Sequence, residues 1–116
     1  MLFRSGNNGY VRDEISKSIE YIHDNYNQRI MVRELADMAH LCKDRFTCLF
    51  KKIIHETPQQ YILKLRIQKA CELMKHTSLN IGQISVMVGF NDQLYFSRVF
   101  KRYVNMTPSK YMHLNK

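Results

Sequence analysis

A chain of 116 residues has length for one compact domain, or for two small lobes that share an element, and no room for a separate catalytic domain. Four glycines, two prolines and no long alternating β-branched run point to an all-α chain. A net charge of +8 predicts a polyanionic partner, nucleic acid ahead of an anionic membrane surface.

The charge is unevenly spread. Residues 1–40 carry five basic and six acidic side chains, 41–76 carry eight and three, and 77–116 carry five and one. Three cysteines, Cys42, Cys48 and Cys71, without a CxxC pair indicate neither a disulfide framework nor a zinc site, and no cofactor is expected. No apolar run approaches 18 residues and MLFRSGNNGY has no signal-type core, so a cytoplasmic chain with no membrane partner is expected.

In chain order, residues 1–10 with SGNNG read as a flexible lead-in, the end of a linker from an upstream domain. From Val11 to about Tyr26, apolar residues at 11, 15, 19, 22 and 26 predict a covering helix with Asp13 and Glu14 in its first turn. Residues 25–29 form a polar turn. Val32 to His40 is a short helix whose Leu35, Ala36 and Ala39 allow a close crossing. After a turn at 40–42, Lys43 to Ile54 is helical, with Phe46, Leu49, Phe50 and Ile53 on one face. Thr57 as N-cap and Pro58 at the first position open a connector helix over 57–76, apolar at Ile62, Leu65, Ile67, Ala70, Leu73 and Met74. Asn80 caps a helix over 81–88, Gly89 and Phe90 turn the chain, and Asp92 caps a helix over 93–103 with Phe96, Val99, Phe100 and Tyr103 inward. Thr107 and Pro108 open a last short helix ending near Leu114, and the seven methionines serve as core fillers.

The later part repeats the earlier. At an offset of 50, Phe46, Phe50, Lys51, Thr57, Pro58 and Tyr61 fall on Phe96, Phe100, Lys101, Thr107, Pro108 and Tyr111. Upstream the offset is 49, aligning Val32, Leu35, Ala36, Met38, Ala39 and Leu41 with Ile81, Ile84, Ser85, Met87, Val88 and Phe90. The unit is helix, turn, helix, and the expected architecture is seven helices in two such lobes, about 11–56 and 77–116, joined by the connector.

In a helix-turn-helix the second helix enters the major groove, and its outward face reads base edges. In the first copy that face is Asp44, Thr47, Cys48 and Lys51, flanked by Arg45 and Lys52. In the second it is Leu94, Ser97, Arg98 and Lys101, with Gln93 and Tyr95 alongside and Arg102 a turn further on. Arg98 suits guanine, Gln93 suits adenine, and Thr47 or Ser97 serves either; Lys51, Lys52, Lys101 and Arg102 suit phosphates. Two such helices on a stiff connector would enter successive grooves about 34 Å apart on an asymmetric double-stranded DNA site. A basic protein-interaction module is the rival, and it leaves the recurrence of groove-type residues unexplained. No catalytic triad, carboxylate pair or phosphate loop is present, so an enzyme is not expected.

From about Ile30 to Tyr111 the chain resembles the DNA-binding domain of the AraC/XylS family of bacterial transcription regulators. The segment IGQISVMVGFNDQLYFSRVFKRYVNMTPSKY carries the strongest match, with LFKK, TPQQYI, LRIQKA and ELM earlier. The resemblance implies promoter binding, activation through RNA polymerase, and an upstream ligand-sensing or receiver domain in many members. It also marks two departures. Cys42 stands where the family usually has a capping Ser, and Met31 where a capping Ser or Thr is common, so the first recognition helix is expected to fray.

Overall fold

Among the described residues the apolar periodicities become seven helices: α1 (Leu2–Asn25), α2 (Val32–Met38), α3 (Lys43–Ile54), α4 (Pro58–His76), α5 (Ile81–Met87), α6 (Gln93–Val104) and α7 (Pro108–Leu114). This computed structural model describes residues 2–115, with side chains from Arg12 onward, and no strand occurs among them. The chain divides into two units, one of residues 1–25 and 30–62, the other of 26–29 and 63–116.

In the first unit α1 packs against α2 and α3. Its buried apolar side chains include Ile15, Ile22, Leu35, Ala36, Ala39, Phe46, Phe50 and Ile62. Small Ala36 and Ala39 let the helices cross closely. Phe50 carries Phe46 at 5.8 Å on one side and Tyr61, edge-on at 5.9 Å, on the other. The Tyr61 hydroxyl sits 2.8 Å from His23 Nε2.

The second unit repeats this arrangement. Its core is Ile67, Ala70, Met74, Ile84, Val88, Phe90, Phe96, Val99 and Phe100. Tyr111 meets Phe100 edge-on at 5.6 Å, as Tyr61 meets Phe50. Burial pushes the pKa of both the Cys71 thiol and the Tyr111 phenol up. The half-buried Cys71 packs against this core.

Three expectations need correction. Residues 2–10 of the expected flexible lead-in are helical, since α1 runs from Leu2, and Asp13 and Glu14 lie in its middle rather than its first turn. Gly and Asn are poor helix formers, but extending an existing helix requires no new nucleus, and that cooperativity carries the backbone upstream. Residues 26–29 do not belong with the first lobe, and that lobe ends at Ile62 rather than near residue 56. Arg66 explains the first of these shifts, donating from Nε to the Tyr26 carbonyl at 2.7 Å and from Nη2 to the Gln28 carbonyl at 2.8 Å. Finally, the methionines are not all core fillers: Met74 is buried, whereas Met31, Met38 and Met87 are exposed.

Candidate nucleic-acid interface

Each unit offers one 12-residue helix with a buried aromatic face and an exposed polar one. On α3, Phe46 and Phe50 are buried, Leu49 and Ile53 are half-buried, and Asp44, Arg45, Cys48, Lys51 and Lys52 are exposed with Thr47 half-buried. On α6, Phe96, Val99 and Phe100 are buried, and Gln93, Leu94, Tyr95, Arg98, Lys101 and Arg102 are exposed with Ser97 half-buried. Leu94 is 75% exposed, an unusual position for a leucine in so small a domain. The structure thus brings the expected residues of each copy to one face of one helix. Tyr95 is the partial exception, because its ring leans on Phe90 at 5.9 Å and stays 38% exposed.

The turns that aim these helices share a geometry. Phe90 N–H donates to the Ser85 carbonyl and Leu41 N–H to the Ala36 carbonyl, closing each preceding helix through a left-handed residue, Gly89 or His40. Both recognition helices also end on a left-handed residue, His55 and Asn105. Basic side chains fill the last turn of each, Lys51 and Lys52 in one, Lys101 and Arg102 in the other, where the helix dipole favours cations.

The starts differ. Asp92 accepts from Leu94 N–H at 2.9 Å, while the Cys42 side chain makes no cap bond to α3. Asn80 and Gln83 form a reciprocal capping box on α5 at 2.8 and 3.0 Å. On α2 only the returning half survives, from Met31 N–H to Glu34 Oε1 at 2.9 Å. Cys42→Ser is therefore expected to stabilise α3 by about 1 kcal/mol and to slow amide exchange at Asp44 and Arg45. Unchanged exchange would mean that water already satisfies those amides equally well.

Beside the start of α6 lies an open cleft of about 420 Å³ lined by Arg66, Gly89, Phe90, Asn91, Asp92, Tyr95 and Arg98. Arg66 and Asn91 were not among the residues singled out from sequence. The signal for Arg66 was present, a single cation between buried Leu65 and Ile67 on the connector. Its guanidinium bonds the Tyr26 and Gln28 carbonyls and stands 5.6 Å over the Phe90 ring, so its role in the site is to hold the turn before α6. Burial draws its pKa down, without removing the charge.

Two tandem helix-turn-helix lobes, each exposing a basic second helix, define a bacterial-type DNA-binding regulator domain. The sequence profile of a helix-turn-helix domain family matches residues 35–113, and the chain belongs to that family, as an AraC/XylS-type member. Among curated relatives, it is 32% identical to the lactose operon transcription activator of Staphylococcus xylosus, covering 89% of this chain and 37% of that protein. It is 30% identical to the C-terminal domain of the two-component response regulator yesN of Fusobacterium nucleatum, with a TM-score of 0.79 over 84% of this chain and 95% of that one. The DNA-binding domain of AdpA, solved in complex with a target DNA, shares the fold at a TM-score of 0.82 and 17% identity, over 86% of this chain and 90% of that one. The chain spans 38%, 37% and 33% of the lengths of three curated relatives. No helix among the described residues is long and apolar enough to cross a membrane.

Proposed function

We propose that this chain is the DNA-reading part of a cytoplasmic transcription activator, setting α3 and α6 into successive major grooves of an asymmetric double-stranded site. The observation that carries this is the recurrence of one exposed polar and basic face on two equivalent helices, each above a buried phenylalanine pair. Base readout falls to Asp44, Arg45, Thr47, Cys48, Gln93, Leu94, Tyr95, Ser97 and Arg98, with Leu94 suited to a thymine methyl. Phosphate contact falls to Lys51, Lys52, Lys101 and Arg102. The parent protein would carry an upstream sensory or receiver domain, in keeping with the response-regulator relative, and would act through RNA polymerase.

Selection of random duplex DNA by the purified chain, at moderate and at high salt, tests this reading. Two short, differing motifs about one helical turn apart are expected. A single motif would confine base reading to one lobe. Salt-sensitive binding with no enrichment would instead favour a basic interaction module.

Arg98 and Lys101 should separate by their effects. Arg98→Ala is expected to cost about 1–3 kcal/mol on the selected site and to relax preference at one base pair. Equal losses on selected and random DNA would reassign it to phosphate contact. Lys101→Ala is expected to weaken binding to all sequences alike and to reduce the salt slope by about one. An unaltered slope would remove Lys101 from the phosphate set.

A further inference from the structure

Gln93, at the start of α6, rests against the first turn of α5. A Cβ on Gly82 would stand 3.1 Å from Gln93 Oε1 and 4.0 Å from Gln93 Cδ, with Asn80 Oδ1 at 3.4 Å. The carboxamide lies across a space that exists because residue 82 has no side chain. Nothing in the backbone calls for glycine there: the residue is helical, and Gly89 is the glycine with positive φ. Glycine is also among the poorest helix formers, so its presence inside a seven-residue helix works against that helix.

We infer that Gly82 is a specificity-determining positioning residue, whose missing side chain seats the Gln93 carboxamide and thereby sets the base edge that Gln93 meets. This rests on the DNA reading proposed above. A carboxamide pairs with adenine through its oxygen and its nitrogen together, and such a site tolerates displacements of only about 0.5 Å. A methyl at residue 82 would meet the carboxamide oxygen at 3.1 Å, closer than ordinary contact, so the carboxamide must give by a few tenths of an ångström, a shift comparable with that tolerance. The position aligned with Gly82 in the first copy is Arg33, so the seat is a property of the second lobe alone.

The test compares Gly82→Ala, Gln93→Ala and the double variant of the full chain with the unaltered chain, by base preference on the selected duplex, salt slope and urea midpoint. Gly82→Ala is expected to keep or raise the urea midpoint and to leave the salt slope alone. It should lower discrimination about five- to tenfold at one base pair, the same pair that Gln93→Ala relaxes. In the Gln93→Ala background the further change to alanine should do nothing. Unchanged preference in Gly82→Ala overturns the inference, as does an effect of equal size in both backgrounds. So does a lowered midpoint with losses spread over every position. If the unaltered chain enriches no sequence, the DNA reading itself fails; if it enriches one and Gly82→Ala reads it identically, only the seat is lost.

Discussion

Gly89→Ala is expected to destabilise the second unit by about 3 kcal/mol, more than any exposed substitution on the reading helices. Residue 89 has φ +104, outside the left-handed well near +57 that an L-residue can occupy at moderate strain. A Cβ there would also stand 2.8 Å from the Tyr26 carbonyl oxygen and 3.0 Å from Arg66 Cζ and Nε. The first neighbour is backbone and cannot rotate away. The second is the guanidinium that donates to that same carbonyl, so relieving one contact loosens the other. Urea unfolding measures the loss, and faster amide exchange at Phe90 would locate it at the turn. A loss below about 1 kcal/mol would mean that the turn and Arg66 shift together without strain. The matching turn in the first copy already carries a side chain, because His40 sits at φ 59, within the left-handed well.

Phe96→Ala is expected to cost about 4 kcal/mol. Phe96 is fully buried, and its ring lies 5.1 Å from Phe90 and 5.7 Å from Phe100. Removing it opens a cavity at the centre of three rings and forfeits two aromatic contacts, each worth about 0.5–1.5 kcal/mol beyond burial. Against the 5–15 kcal/mol that typically separates folded from unfolded states, roughly, the second unit would be left close to unfolding. Its DNA affinity should then fall with temperature far more steeply than that of Arg98→Ala, which leaves the core untouched. An unfolding free energy in urea lowered by less than about 1.5 kcal/mol would show that Phe90 and Phe100 collapse into the space.

Helix types and faces were legible because burial writes a period into the chain. Phe46, Phe50, Phe96 and Phe100 announced the inward faces of α3 and α6, and Thr57–Pro58 and Thr107–Pro108 announced helix starts. The duplication strengthened each of these, since a pattern seen twice at equivalent positions is constrained by one geometry. The boundary inside α4 was not legible, because a continuous helix has no local mark where its packing changes partner. The helical backbone before Val11 is not legible for a related reason: SGNNG is locally poor in helix propensity, and cooperativity with the following turns is not a local property.

The sequence by itself determined that this protein is an all-helical, basic, duplicated chain, and which side chains face outward on each second helix, because periodicity and charge are properties of residues within a few turns. Only the tertiary structure decided that Arg66 holds residues 26–29 beside Gly89, and that Gln93 lies across Gly82. Those contacts join residues 40, 23 and 11 positions apart through geometry at the ends of helices, where no period in the sequence records which atoms meet.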